Sequence, residues 1–299
     1  MTAALGAEPK AVEWDRVSRA RLDVRHHYRY AYREPILRLE QRLMMTPPER
    51  HVDQTLLWHE LHVTGAAGEH SVTWEWDRFG NRVARVSVAR VAKQVTFEAV
   101  YRVERSVAAV EPAPSGGWEV FLTPTALTAP DERLAAAAEA IRLGGAVDDA
   151  SLAERAHTWA STAIDYHVGM TGVRTPAAMA LHLGGGVCQD YAHILLAVLR
   201  LLGVPARYVS GHLLGEGVPH AWVEVLARAR AADGSGAQQD RVIAYDPTNR
   251  RRARMQYVTV AVGRDFADVS PTSGTFTGSQ PGTMTWGKQA AVVDVEYAT

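Results

Sequence analysis

Cysteine is almost absent: the 299 residues hold one, Cys188. A single thiol excludes an internal disulfide framework and a multi-cysteine zinc site, and a reducing compartment is the expected setting. Net charge is nearly absent too, formally −1 at pH 7. Neither a nucleic-acid nor a membrane surface is therefore indicated. No apolar run reaches the length of about 18 residues that a membrane-spanning helix needs. The opening MTAALGAEPKAVEWDR lacks an apolar stretch of signal-peptide length, which makes a cytoplasmic location the expectation. The Gly184-Gly185-Gly186 run is too short for a phosphate-binding loop and carries no lysine. No internal repeat is present. What remains, 47% hydrophobic and 22% charged, is ordinary for a globular protein of one large or two average domains.

The pattern changes once along the chain. Residues 1–18 read as a disordered lead. From Arg21 the sequence alternates, and strand-like runs follow at Leu22–Tyr30, Thr55–Val63, Ser71–Trp76, Arg82–Ala89 and Lys93–Glu104. Short strands without helices predict an N-terminal β-sandwich-like domain of roughly 100 residues, placed at 19–125. Glu111–Gly117, rich in proline and glycine, reads as a linker or loop. Helices are then predicted from Asp131, over Leu152–Ala163, over Pro176–Leu183 and from Cys188 to about Leu202. Strands follow near Ala206–Leu213, His220–Ala227, Val242–Asp246, Tyr257–Val262 and Ala290–Tyr297. Arg228–Asp240 reads as a polar hairpin insertion. Helices first and an antiparallel sheet after give an α+β fold for 126–299.

The chemistry centres on Gly184–Arg207, GGGVCQDYAHILLAVLRLLGVPAR. Ala192, Leu195, Leu196, Leu199 and Leu202 recur at helical spacing, which places Cys188 where a glycine-rich loop becomes the first turn of a buried helix. Free backbone N–H groups and the helix dipole there favour a thiolate and can bind an oxyanion. A thiolate nucleophile needs an imidazole within reach, and the imidazole needs a group that fixes its tautomer. His220 in Pro219–Val225 and Asp246 in Ala244–Asn249 supply one of each, each at the edge of an apolar strand.

GVCQDYAH, PARYVSGH, HAWVEV and YDPTN, in this order, resemble the bacterial transglutaminase-like family, which shares the papain-like cysteine-protease core. AVGRDFADVSP (Ala261–Pro271) and YRYAYREPI (Tyr28–Ile36) resemble it as well, the latter its N-terminal domain. The resemblance implies an α+β fold in which a β-sandwich-like domain precedes a core of helices packed on an antiparallel sheet. It implies a catalytic triad of Cys188, His220 and Asp246. It also implies a second oxyanion donor from an aromatic side chain upstream of the cysteine, for which Tyr166 is the nearest candidate and Trp159 the alternative. Gln189 and Trp222 are expected to line the cleft.

Blander readings stand beside these. A lone cysteine is commonly a small buried hydrophobe. Asp246 can serve as a turn residue before Pro247, and His220 is one of 12 histidines. Asp190 would oppose a thiolate if it faced the sulfur, so pairing with local N–H groups or a basic partner is favoured. Arg264, Asp265 and Asp268 either line a cleft or form an internal ion pair. His193 and His212 could join Cys188 and His220 around zinc, but no close His/Cys ligand pair occurs, so no metal and no cofactor are expected. The expected function is amide-bond hydrolysis or acyl transfer on a peptide or protein substrate, hydrolysis being favoured. No nucleic-acid or membrane partner is expected. A protein partner for the N-terminal β domain is open, as is a non-catalytic scaffold retaining the fold.

Overall fold

The computed structural model describes residues 12–109, 117–145, 148–227 and 240–298. Residues 1–11 of the expected lead, the expected linker up to Ser115–Gly116 and the expected insertion up to Gln239 lie outside the described residues. The rest of the lead is ordered: Trp14–Arg16 form a 3-10 turn, and the first strand begins at Val17.

Strands β1 (Val17–Ala31), β2 (Ile36–Leu43), β3 (Arg50–His51), β4 (Gln54–Ala66), β5 (His70–Trp76) and β6 (Arg82–Ser106) build the first sheet. On β1, Ala20, Leu22, Val24, His26 and Tyr28 alternate inward, as the sequence pattern predicts. β6 serves both halves of the sheet. Its first part lies between β2 and β5, its second between β1 and β4. Inward positions on β6 change from even (Ala84, Val86, Val88) to odd (Val91, Val95, Phe97). The change lies opposite Arg38 of β2 (φ +49), between the pairs Leu39–Val88 and Ile36–Val91. It lets both halves of one long strand face a single core.

The core domain begins with α1 (Glu132–Leu143) and α2 (Asp149–Ala160), capped by the carboxylates of Asp131 and Asp148. The short parallel pair β7 (Asp165–Tyr166) and β8 (Gly185–Gly186) flanks α3 (Ala177–Leu183). Helix α4 (Cys188–Leu201) is buried all round from Gln189 to Arg200, so it is the centre of this core rather than an amphipathic cover. It packs on β9 (Ala206–Leu213) and β10 (Pro219–Ala227), with α1, α2 and α3 around it. β11 (Arg241–Asp246), β12 (Arg251–Arg252) and β13 (Tyr257–Gly263) complete a five-stranded antiparallel sheet in the order β12-β11-β10-β9-β13.

The last two strands depart from the expected domain division. β14 (Thr272–Thr277) pairs with β2, and β15 (Thr283–Tyr297) pairs with β1 along its whole length. Residues 272–297 thus complete the first sheet, although the sequence order assigns them to the catalytic core. Alternation marks a strand but not the sheet it joins.

The two parts meet through polar side chains that replace strand partners. β13 is an edge of the core sheet. Gln54 accepts from the Thr259 N–H (2.9 Å) and donates to its carbonyl (2.8 Å), and Asn81 does the same at Val262 (2.7 and 2.7 Å). Both amides satisfy backbone groups that a bare edge would leave open. Nearby, buried Glu224 of β10 binds His51 (2.9 Å) and Arg207 (2.6 Å). Burial would raise its pKa, but these two partners outweigh it and hold the carboxyl well below the usual range.

Three buried histidines make the fold acid-sensitive. Burial lowers His26 to about 4, His193 to about 3 and His212 well below its ordinary value. The unfolded chain takes up protons near pH 6.5 while the native one does not, so stability is lost as pH falls below that point. Each histidine contributes on the order of 1 kcal/mol per pH unit. His220 is held protonated in the fold and titrates outside this window. The melting temperature is expected to drop steeply between about pH 6.5 and 5, before the carboxylates of the unfolded chain titrate. A flat profile there would mean that these histidines open to water.

Candidate active site

Cys188 is the first residue of α4 and is half-buried. The three glycines before it each have a steric reason. Gly184 ends α3 in the left-handed region (φ +73). A Cβ on Gly185 would meet the Met170 sulfur at 2.7 Å, and one on Gly186 the Asp190 carboxylate at 2.5 Å. Asp190 folds back over this loop and accepts from the Val187 N–H (2.8 Å) and the Thr171 hydroxyl (2.6 Å). Burial raises its pKa against these bonds. The favoured reading of Asp190, a partner for local N–H groups, is what the structure contains.

His220 is the second residue of β10, and Asp246 is the last of β11. Antiparallel pairing of these strands, Val223 opposite Tyr245, brings both side chains to one end of the sheet. His220 Nε2 donates to Asp246 Oδ2 at 2.7 Å, and Cys188 is among the neighbours that raise the pKa of the imidazole. Since Nε2 is committed to Asp246, Nδ1 is the nitrogen left for the thiol. Burial alone would lower the His220 pKa. Hydrogen bonds to Asp246, Cys188 and Glu216 overcome it and push the group up to about 12.

Asp246 is fully buried and four donors converge on it. Oδ2 accepts from His220, from the Tyr257 hydroxyl (2.6 Å) and from Asn249 Nδ2 (2.8 Å), and Oδ1 accepts from the Asn249 N–H (3.1 Å). These bonds, His220 foremost, hold its pKa below the ordinary value against burial. The turn role and the orienting role of Asp246 therefore coexist in one carboxylate. Arg251 Nε in turn donates to the Tyr257 hydroxyl at 2.9 Å.

The β7–β8 pair aligns Tyr166 with Gly186, two residues before Cys188. Its side chain is 56% exposed. Burial of its hydroxyl and the nearby Cys188 and Glu216 raise its pKa. Trp159, the alternative, packs against the core cluster around α4.

Two expected cleft residues are elsewhere. Trp222 is 1% exposed and lies in a cluster with Val209, Leu213 and Tyr257. It is two residues along the same strand face from His220 and stacks beside it (6.3 Å between centroids), so it supports the imidazole from within. Gly211, opposite His220 on β9, leaves the room: a Cβ there would meet the Trp222 indole at 2.6 Å. Gln189 is buried as the second residue of α4 and does not open to a cleft.

The remaining candidates are structural. Arg264 pairs with Asp268 (2.8 Å), and Asp265 caps the turn after it. His193 accepts the Phe266 N–H at 3.2 Å. Among the described residues no group of three or more His, Cys, Asp or Glu is placed to hold a metal ion. No described helix is long and apolar enough to cross a membrane. Sequence reasoning missed Tyr257, Asn249 and Glu216 as partners of Asp246 and His220. Asn249 stood within YDPTN, but Tyr257 and Glu216 carried no local signal.

Comparison with known proteins matches the same two regions. Residues 136–247 match the Transglutaminase-like superfamily, and residues 22–104 match the Bacterial transglutaminase-like N-terminal region. Over 171 residues the chain is 39% identical to an uncharacterised protein of Mycobacterium leprae, covering 54% of this chain and 56% of that one. An uncharacterised protein of Mycobacterium tuberculosis is 33% identical over 124 residues, 38% of each chain. The aligned part thus spans about half the length, or less, of these curated relatives. A candidate cysteine protease from Cytophaga hutchinsonii has the same fold, with a TM-score of 0.71 over 94% of this chain and 93% of that one, at 21% identity.

Proposed function

Since the chain belongs to the transglutaminase-like superfamily, we propose that it is a cysteine-dependent amide-bond hydrolase or acyltransferase acting on a peptide or peptide-like substrate. The observation that carries this reading is His220, bonded on one nitrogen to buried Asp246, with Cys188 among the neighbours that raise its pKa. In this scheme the Cys188 thiolate attacks the amide carbonyl, and the carbonyl electron pair moves to oxygen. Collapse of the tetrahedral oxyanion expels the amine, which takes its proton from His220. The thioester left on Cys188 then passes its acyl group to water, with His220 as base, or to an amine. Water is the favoured acceptor. Asp246 keeps the imidazole in one orientation and stabilises its positive form.

The Cys188 N–H at the start of α4 supplies one oxyanion donor, and the Tyr166 hydroxyl is proposed as the second. Tyr166→Phe is then expected to lower kcat by about 10²–10³-fold with little change in KM, the scale for loss of one such donor. An unchanged kcat would remove Tyr166 from the oxyanion site. A panel of peptide amides, assayed with the wild type and with Cys188→Ala, tests the activity itself. Cleavage that persists without the thiol would overturn the nucleophile assignment.

A further inference from the structure

His220 has a second carboxylate neighbour, and it comes from outside the triad. Glu216 Oε2 lies 3.3 Å from Nδ1, the nitrogen left over when Nε2 binds Asp246. Glu216 stands on the loop between β9 and β10, between Gly215 (φ +86) and Gly217, and its side chain is 32% exposed. A glycine-flanked, partly exposed side chain does not keep such a position unaided. Lys288 supplies the restraint. Its Nζ donates to the Leu213 carbonyl (3.0 Å) and the Val218 carbonyl (3.1 Å), bridging the two ends of the loop. Lys288 belongs to β15, opposite His26 of β1, and so to the first sheet rather than the core.

We propose that Glu216 is a positioning residue for His220, and that Lys288 holds it there, so that the N-terminal sheet contributes directly to the setting of the catalytic base. The role of His220 as base rests on the reading of the reaction given above. The contact itself does not.

The electrostatic logic is simple. Asp246 from β11, Cys188 from α4 and Glu216 from the loop are the ionisable groups bonded to the imidazole. Trp222 and Tyr257 contribute only their rings at 6.3 and 6.1 Å. A carboxylate at each nitrogen favours the doubly protonated ring and fixes its plane, leaving the Nδ1–H shared between Glu216 and the sulfur. Glu216 faces His220, Asp246 and Lys288. Burial opposes its ionised form, but His220 holds its pKa below the ordinary value. Burial of the ammonium takes Lys288 down to about 8, with Glu216 opposing the shift. Loss of the ammonium charge above that value would weaken the clamp.

The test is the protonation of His220 followed by imidazole ¹⁵N NMR on the full chain, its signals assigned by their loss in His220→Gln. Glu216→Gln should move the loss of the Nδ1 proton to lower pH by about one unit or more, a tenfold change in acid constant. Lys288→Met should move it the same way, and Lys288→Arg should restore the wild-type midpoint. A midpoint unchanged in Glu216→Gln overturns the proposal. If Lys288→Met fails to fold, the glutamine and arginine variants still decide. Iodoacetamide labelling of Cys188 in the same proteins separates the two claims. A Glu216-dependent imidazole beside an inert thiol would sink the reaction and leave the positioning role standing. A reactive, His220-dependent thiol with no response to Glu216 would do the reverse.

Discussion

Replacing His220 with alanine will slow iodoacetamide labelling of Cys188 near neutral pH by about 10²-fold or more, the range assigned to a positioned acid–base partner. Turnover of any amide substrate will fall with it. The experiment is unusually clean because one thiol serves the whole chain. Cys188→Ala, which leaves nothing to label, should reduce turnover by a factor on the order of 10⁶, the scale on which loss of a nucleophile acts. Its melting temperature should stay close to the wild type, because the side chain is only half-buried and loses one sulfur. Labelling that is equally slow with and without His220 would mean a structural thiol in a closed site. The fold would then be serving as a binding scaffold.

Asp246 carries the second large effect, and there catalysis and stability part company. Asp246→Ala leaves His220 Nε2, the Tyr257 hydroxyl and both nitrogens of Asn249 facing an empty, buried space. Removing one member of a buried charged network costs about 3–5 kcal/mol, so this variant should be visibly destabilised in urea. Asp246→Asn is the more informative change. Its amide oxygen can take the place of Oδ2 and keep three of the four donors. Its NH₂ then meets the Asn249 N–H and carries no charge to stabilise an imidazolium. The fold should survive, while turnover falls by up to about 10⁴-fold and leaves a measurable remainder. An asparagine variant at full rate would reduce Asp246 to a turn residue. An unfolded one would show that the turn outweighs the chemistry.

Much of this was legible in the sequence because helices and their caps are local. The α4 pattern, Asp131 as a cap and the order Cys188, His220, Asp246 could all be read from short windows. Other features depended on information no window contains. β2 was overlooked because Arg38 sits at φ 49, and the irregularity there breaks the alternation between Ile36 and Leu39. Trp222 was assigned to a cleft because its proximity to His220 in sequence was clear, while the depth of that strand face was not. Glu216 and Lys288 are 72 residues apart in the numbering and meet only because β15 crosses back to the first sheet. Tyr257 reads as one more aromatic at a strand start until β13 places its hydroxyl on Asp246.

The return of β15 to β1 also bears on the order of events during synthesis. Val17 pairs with Tyr297, so the first strand waits on one of its neighbours until almost all of the intervening chain has been made. The five-stranded core, by contrast, is complete once β13 has emerged. A ribosome-bound chain halted between these points would expose β1 as an unpaired edge, a template for aggregation. It would also lack Lys288. Arrival of β15 thus closes this side of β1 and restrains the loop beside His220 in one step, tying maturation of the site to completion of β15.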